Sequence, residues 1–418
     1  MQEMGDARGM RRREVRAALL AVFAAAVIYL FLASGLGLDL LEHSAHDSYT
    51  LAAMRWREGH IALGRDYPWL ELAIFEGDYY VSFPPFPTLP MWLLTFIFGG
   101  NTPSMLVNFV MFLASTLLGF LTARSLGRAP EEAGAWAVGW TCGCNLLEVS
   151  LYGGVWNMAQ GMSFFLTMLC VYGLTRMRAQ KRWRYMAPVA IACAVGCRPF
   201  QAVYVPAVLL ALYDAVCADG KPGEQSEWKR VARCVPYIIV PGMIAVAYGA
   251  YNLIRFGNIF EFGHNYLPEF VEAENGQFSL AYVGKNIANI LRWPEIDADG
   301  RLNFPHAFGF AFYIANPLYV VVTARLGEAV YRRIRYKEKT LCALDVLLLL
   351  GGAVHFFLLL LHKSFGGWQF GTRYLIDLLP MLGLFALRRG KGIRMLEGML
   401  LIFAVCFNAY GAAVFHLT

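Results

Sequence analysis

Residues Leu38 to Pro87 read LDLLEHSAHDSYTLAAMRWREGHIALGRDYPWLELAIFEGDYYVSFPPFP and form the first long polar segment of the chain. An apolar run, Ala17 to Leu32, directly precedes it. The segment combines acidic, basic and aromatic residues, whereas most of the chain is apolar. A charged segment of this length, directly after a first membrane span, is typical of a membrane enzyme and is not needed by a simple helical bundle.

The composition is that of a membrane protein. The chain has 418 residues, of which 58% are hydrophobic and 16% charged, and its mean hydropathy is +0.46. Soluble domains are nearer about 25% charged. The net charge of +6 comes from basic clusters between apolar runs, so no nucleic-acid partner is predicted. The nine cysteines lie mostly within or beside apolar runs. We therefore predict no disulfide framework and no zinc site, and we assign no metal ligands and no cofactor; the sequence leaves the metal requirement of the protein open.

The basic N-terminus orients the chain in the membrane. MQEMGDARGMRRREVR precedes the first span, and the positive-inside rule places it in the cytoplasm and Leu38–Pro87 outside. The run Pro84–Phe98 is apolar but short and interrupted by prolines. We expect it to lie at the outer interface, because a span here would place Arg124 and Arg128 on the external side.

With this assignment each later basic loop lies inside. The sequence predicts an all-α polytopic membrane protein with about eleven transmembrane helices, each near the ~20 residues that a bilayer requires. Residues 1–418 form one transmembrane domain, with a first external loop at 34–102, which carries juxtamembrane helices, and a second at 255–305. The predicted spans are Ala17–Leu32, Met105–Ala123, Ala133–Leu147, Met158–Thr175, Tyr185–Cys197, Ala202–Cys217, Val235–Leu253, Phe308–Ala324, Leu341–Leu361, Leu375–Leu387 and Met395–Phe415.

Asp47 stands near the start of a helical pattern that runs from Ser44 to Gly59. Two interpretations are open. By residue type and spacing alone, a carboxylate here is more often the N-cap of a helix. Its position at the membrane surface favours a general base, since a carboxylate there can accept a proton from a hydroxyl nucleophile beside a lipid head group.

The layout of this region is similar to a known family. A span, an Asp-bearing helix in HDSYTLAAMRWREG and then EGDYYVSFPPFPTLP resemble the polytopic GT-C glycosyltransferases, which include protein O-mannosyltransferases and bacterial aminoarabinose transferases. RFGNIFEFGHNY and GGWQFGTRYLIDLLP resemble stretches of bacterial members. In that superfamily the first external loop supplies an acidic residue for catalysis, and the donor is a polyprenyl-phosphate sugar. The resemblance implies Asp47 as the catalytic residue. Asp39 and Glu42, nearer the end of the first span, are the fallbacks, and Glu42 is also a candidate substrate contact.

The sequence departs from some relatives in one respect. SFPPFPTLP offers no Lys or His to the lipid phosphate, so that cation must come from another loop. Arg373 is the first candidate, since a guanidinium can grip a phosphate with two bonds and glycines beside it leave room for a ligand. Lys363 and Arg198 are the others. The alternative for each is a snorkelling anchor, which is as good an interpretation for Lys363, whereas the glycines around Arg373 favour ligand binding there.

The second external loop adds candidate substrate contacts. Glu261, His264 and Tyr266 lie in it, and Tyr374 follows Arg373. Such aromatic and acidic groups suit binding of a sugar or an acceptor, and they equally suit an interfacial aromatic belt. Glu148, at an outer span end, is a weaker candidate.

These features predict an inverting glycosyltransferase on the outer face of a bacterial inner membrane. Asp47 would deprotonate an acceptor hydroxyl on a lipid, glycan or protein, and Arg373 would hold the departing polyprenyl phosphate. An external site excludes nucleotide sugars, which are cytosolic. The first alternative is a transporter or flippase of lipid-linked glycans, which would carry charges deep in several spans. The second is a non-catalytic scaffold, in which Asp47, Arg373 and Glu261 would not converge.

Overall fold

The computed structural model describes residues 2–219, 226–296, 298, 300, 302–390 and 392–415, with side chains from residue 9 onward. The chain is 68% helical, which confirms the predicted all-α polytopic class. The described α-helices are α1 (Gln2–Gly35), α2 (Ser48–Arg57), α3 (Thr88–Phe98), α4 (Ser104–Ser125), α5 (Pro130–Thr141), α6 (Leu146–Ser150), α7 (Val155–Arg176), α8 (Arg182–Val195), α9 (Val205–Cys217), α10 (Glu227–Ala232), α11 (Val235–Phe256), α12 (Pro268–Val271), α13 (Val283–Leu291), α14 (Phe312–Ala315), α15 (Leu318–Tyr336), α16 (Ala343–Leu360), α17 (Leu379–Arg389) and α18 (Met395–Phe415).

Short elements complete the described structure. Two antiparallel hairpins pair β1 (Leu72–Phe75) with β2 (Asp78–Val81) and β3 (Glu295–Ile296) with β4 (Leu302–Asn303). The 3₁₀ helices are Gly99–Asn101, Pro199–Tyr204, His264–Tyr266, Leu280–Tyr282 and Arg373–Leu378.

Seven helices in the described part of the chain are long and apolar enough to cross a membrane: Gly9–Gly35, Ser104–Ser125, Val155–Arg176, Pro199–Cys217, Val235–Phe256, Ala343–Leu360 and Met395–Phe415. The other four predicted spans are helical but shorter, interrupted or more charged. The 14-residue α8, for example, reaches only about 21 Å and contains Pro188. The predicted count of about eleven spans therefore stays a prediction.

The segment between α1 and α4 contains the predicted juxtamembrane helices. The 11-residue α3 is only about 16 Å long, which is too short to span a bilayer. It packs on α2, where the Arg57 guanidinium donates to the Thr95 carbonyl oxygen at 2.7 Å. Leu93 and Ile97 on its other side are 61% and 74% exposed, as a helix lying in an interface would be.

The β1–β2 hairpin of this segment was not predicted. Phe75 pairs with Asp78, which leaves Glu76 and Gly77 as a two-residue turn. Both have positive φ, of 50° and 85°, so the strands are joined by the turn geometry that suits their right-handed twist. The hairpin orients Glu71, directly before β1, toward the start of α7.

The long helices define two ends of the bundle. At the loop end, the Val155 amide at the start of α7 donates to the His46 carbonyl oxygen at 2.9 Å, which joins the bundle to the segment between α1 and α4. His362, after α16, lies at this end as well. At the basic end lie Arg176 at the close of α7, Thr340 before α16 and the last residues of α17. The 18 residues of α16 separate the two ends by about 27 Å.

Candidate active site

A cavity of about 530 Å³ opens at the loop end of the bundle. This volume lies within the range of small-molecule sites. Its walls come from the segment between α1 and α4, α6, the start of α7, the segment between α11 and α14, and the loop between α16 and α17. Its lining residues are Ser44, His46, Glu71, Phe83, Glu148, Tyr152, Gly154, Trp156, Asn157, His264, Leu267, Glu269, Phe270, His362, Ser364, Gly366, Gly367, Trp368, Gln369, Arg373, Tyr374 and Phe415. We call it the loop-end cavity.

Three carboxylates line this cavity. Glu71 accepts a hydrogen bond from the Trp156 indole nitrogen at 2.7 Å. Glu148 is carried by the short helix α6 and is only 5% exposed. Burial and the nearby Glu71 carboxylate raise the pKa of Glu269 above its usual value. The cavity therefore brings together acidic groups that are far apart in the sequence.

Arg373 is the arginine that lines this cavity. Its Nη2 donates to the Gly366 carbonyl oxygen at 3.0 Å, and its Nε is buried without a hydrogen-bond partner. Its backbone is held on both sides, because its amide donates to Gln369 Oε1 at 2.9 Å and its carbonyl accepts from Gln160 Nε2 at 3.0 Å. Among the residues that the structure describes, it forms no ion pair. A fixed, unneutralised guanidinium in a cavity is suited to bind an anion.

The glycines near Arg373 have a role other than the predicted one. Gly366 and Gly371 adopt positive φ of 95° and 61°. A Cβ on Gly366 would lie 2.7 Å from Gln369, and one on Gly371 would lie 2.4 Å from Asn145. These two glycines therefore allow a tight loop and close packing. Only Gly367 faces open space.

A second cavity of about 270 Å³ adjoins the first and shares Phe83, His264, His362 and Tyr374 with it. Arg198 lines this aromatic cavity, but its Nε donates to Asp377 Oδ2 at 2.9 Å. The Asp377 side chain is 1% exposed, and the Arg198 guanidinium also stacks over the Tyr374 ring at 4.3 Å. The charge of Arg198 is thus neutralised inside the protein, unlike that of Arg373.

Arg198 is expected to contribute to stability. Replacing it with methionine would leave the buried Asp377 carboxylate unpaired, which typically destabilises a protein by about 3–5 kcal/mol. Thermal unfolding of the purified variant in detergent would show a large fall in Tm, and Arg198→Met combined with Asp377→Leu would recover most of it. An unchanged Tm for the single variant would show that the pair does not hold the fold.

Asp47 is the N-cap of α2, as its residue type predicted. Its Oδ1 accepts from the amides of Tyr49 and Thr50 at 3.0 and 3.1 Å, and its Oδ2 accepts from the Thr50 hydroxyl at 2.6 Å. The residue is 1% exposed and does not line the loop-end cavity, although Ser44 and His46 beside it do. Burial raises the pKa of Asp47 to about 6 against the opposing effect of the Thr50 hydrogen bonds.

The remaining predicted residues divide between the two cavities and the surface. Glu261 lines the second cavity, where it accepts from the Gly263 amide and Asn265 Nδ2, both at 2.6 Å. Lys363 donates to the Glu269 carbonyl oxygen and lines neither cavity. Tyr266 packs on Phe75 and Phe256, and Glu42 is exposed; both also lie outside the two cavities. Asp47, Arg373 and Glu261 therefore share no single wall, as the scaffold alternative predicted, although Arg373 and Glu261 line adjoining cavities.

Two histidines stand between the cavities. His264, which was predicted as a substrate contact, and His362 line both. Burial lowers the pKa of His264 to about 4 and that of His362 to about 3. Both imidazoles are therefore neutral at pH 7 and can hydrogen-bond a substrate without holding its charge. Arg373 is the positively charged group that the loop-end cavity offers to an anion.

Some lining residues were not found from the sequence. Glu71 lies inside the quoted stretch, but its orientation depends on the hairpin that follows it. Trp156 follows the glycines before α7, and its role depends on Glu71, which lies 85 positions earlier in the chain. Gln369 was noted only as part of a motif; it fixes the Arg373 amide. The one signal available was the clustering of aromatic and polar residues at span ends.

Comparison with solved structures shows the fold of this chain. The apo oligosaccharyltransferase from Archaeoglobus fulgidus is similar over 95% of this chain and 56% of that one, with a TM-score of 0.52 and 13% identity. ArnT from Cupriavidus metallidurans bound to undecaprenyl phosphate is similar over 88% and 59%, with a TM-score of 0.49 and 12% identity. The chain thus spans little more than half the length of these proteins. No protein-family model and no curated protein matches it.

The class of fold follows from the first of these structures. The chain has the fold of this oligosaccharyltransferase, which agrees with the fold that the resemblance of Leu38–Pro87 to the GT-C enzymes implied.

Proposed function

We propose that the protein is a glycosyltransferase that moves a sugar from a polyprenyl-phosphate donor to an acceptor hydroxyl. The observation that carries the proposal is the loop-end cavity, in which an arginine without an ion pair among the described residues lies with three carboxylates. The fold supports it, since the similar structure is an oligosaccharyltransferase. A fold alone does not define a reaction, and the charged groups of the cavity add the chemistry.

Arg373 would bind the phosphate of the donor. Transfer breaks the bond between the anomeric carbon and a phosphate oxygen, and negative charge grows on the departing phosphate. The Nη protons of Arg373 that are not bonded to Gly366 can meet two phosphate oxygens without first giving up an ion pair. Neutral His264 and His362 line the same region and add no competing charge beside Arg373.

A carboxylate would accept the proton of the attacking hydroxyl. We keep Asp47 as the proposed base, because its pKa of about 6 suits a base that works near neutral pH and its neighbours Ser44 and His46 line the cavity. Glu148, which lines the cavity itself, is the second carboxylate placed for this role. The hydroxyl oxygen attacks the anomeric carbon from the face opposite the phosphate, so the configuration inverts.

The site would work at the external face of a bacterial inner membrane, with the N-terminus in the cytoplasm. The basic end of the bundle carries Arg176 and Arg389, whereas three carboxylates line the cavity at the loop end. Under the positive-inside rule this distribution of charge supports an external loop-end cavity, on the side where polyprenyl-linked sugars are available. The acceptor would be a lipid, glycan or protein hydroxyl presented at the membrane surface.

A transfer assay tests this function. The purified chain, reconstituted in vesicles, would receive a radiolabelled polyprenyl-phosphate sugar together with a membrane extract as the acceptor source. We expect protein-dependent appearance of label in a new glycoside and release of polyprenyl phosphate in equal amounts. Movement of the labelled lipid between leaflets with no new glycoside would instead identify a transporter and contradict the proposal.

A further inference from the structure

A third cavity, of about 290 Å³, lies at the basic end of the bundle. It opens between the second half of α15, the end of α17 and the residues that precede α16. Its lining carries five cations and two carboxylates: Arg325, Glu328, Ala329, Arg332, Glu338, Lys339, Thr340, Arg388 and Arg389. We call it the basic-end cavity. Because α16 separates the two ends by about 27 Å, this cavity has no part in the loop-end site.

Two of the five cations are neutralised by neighbouring acids. Arg325 holds Glu397 with two bonds, of 2.8 and 2.7 Å, and so joins α15 to α18. The Arg332 Nε lies 3.0 Å from Glu338 Oε2. These pairs shape the cavity and leave no charge for a ligand.

The other three cations carry surplus positive charge. Arg388 and Arg389 share one carboxylate, that of Asp345, at 3.1 and 3.3 Å. Within the described ranges Lys339 has no ion pair, and it is exposed at the cavity wall. One buried acid thus faces two guanidinium groups with an ammonium group close by. This arrangement attracts an anion with several oxygen atoms.

The surroundings of the cavity distinguish a lipid from a small anion. The last turns of α15 expose Tyr331 and Tyr336 at 58% and 59%. Tyr336 lies one turn after the cavity-lining Arg332, and Tyr331 is adjacent to Arg332 in the chain. Aromatic groups beside a basic pocket suit the interface, where a lipid head group and its first acyl carbons meet. A free phosphate ion would gain nothing from these side chains.

We propose that the basic-end cavity binds the head group of an anionic phospholipid. Arg389 and Lys339 would contact its phosphate, with Arg388 keeping Asp345 paired. The exposed side chains of α15 would contact the acyl chains. A lipid seated there would bridge α15 to α17, and so it would stabilise the whole chain.

The test compares lipids on the purified full chain in a neutral detergent. Short-chain phosphatidylglycerol, phosphatidylcholine with the same acyl chains, and inorganic phosphate would each be titrated while Tm is followed by tryptophan fluorescence. Fluorescent phosphatidylglycerol would give Kd. We expect phosphatidylglycerol alone to raise Tm, by about 3 °C or more at saturation. Lys339→Gln with Arg389→Gln should weaken its binding at least about tenfold.

A matched double variant controls for lost charge. Arg178→Gln with Lys181→Gln removes two exposed cations from the α7–α8 turn at the same end of the bundle, and it should bind phosphatidylglycerol as the wild type does. Equal weakening in both double variants would mean non-specific attraction and overturn the proposal. So would an equal Tm increase with inorganic phosphate, which would show a small-anion site. Absence of any effect of phosphatidylglycerol would overturn it as well.

Discussion

Replacing Arg373 with glutamine is expected to lower kcat/KM for transfer from a polyprenyl-phosphate sugar by two to three orders of magnitude. Losing one group that stabilises developing charge costs about 10²–10³ in rate. Arg373 does not pair with a carboxylate in the described structure, so the variant leaves no orphaned buried charge. We therefore expect Tm to change little while activity falls.

Two further variants sharpen this result. Arg373→Lys keeps the charge but loses the bidentate contact, and its kcat/KM should lie between those of Arg373→Gln and the wild type. Lys363→Gln removes a cation from the same loop. The Lys363 ammonium group donates to the Glu269 carbonyl oxygen and does not line the cavity, so this variant should change kcat/KM less than about fivefold. If Lys363→Gln and Arg373→Gln lose activity equally, then the net charge of the loop, and not a specific contact of Arg373, attracts the phosphate. Full activity of Arg373→Gln would show that Arg373 does not stabilise the departing phosphate.

Sequence patterns could predict the class of fold because the dominant constraint is local. Runs of apolar residues of bilayer length and basic residues between them are visible without any tertiary information. The same patterns could not decide whether α5 with α6, α8, α15 and α17 cross the membrane. Their lengths and charges lie at the margin, and their burial depends on neighbouring helices.

The partners of the candidate cations could not be predicted, because they are distant along the chain. Arg198 and Arg373 are both arginines at span boundaries. Arg198 is neutralised by Asp377, which lies 179 positions later, and Gln160 bridges Asp377 to the Arg373 backbone. Only the folded chain shows which guanidinium is free. Glu71 illustrates the same limit, since its approach to Trp156 depends on a hairpin turn.

The two interpretations of Asp47 can be separated by one substitution. Asparagine has the shape of aspartate and is an equally good N-cap. In Asp47→Asn, the side-chain oxygen can still accept from the Tyr49 and Thr50 amides. The amide nitrogen can donate to the Thr50 hydroxyl, which is able to accept as well as donate. The cap is kept and the basic carboxylate is lost.

If Asp47 is the base, Asp47→Asn should lower kcat by about 10²–10⁴ with an unchanged Tm. The wild type should show a second signature. A base must be deprotonated, so with a pKa of about 6 its activity falls as the pH is lowered through 6 and is retained above it. Asp47→Asn should lack this acidic limb. Glu148→Gln is the matched variant, and it should retain the limb if the proton goes to Asp47.

If Asp47→Asn keeps its activity, the role of Asp47 is to cap α2 and not to act as a base. Asp47→Ala removes the cap and leaves buried amide donors unpaired, which costs about 1–3 kcal/mol and lowers Tm under either interpretation. If Asp47→Asn keeps activity within about threefold while Glu148→Gln loses it, then the base is the carboxylate that lines the cavity. Asp47 would then act only by fixing the start of α2. Ser44 and His46, directly before this helix, line the cavity. The comparison of Asn with Ala at one position therefore separates charge from capping, because only the first substitution preserves the hydrogen bonds.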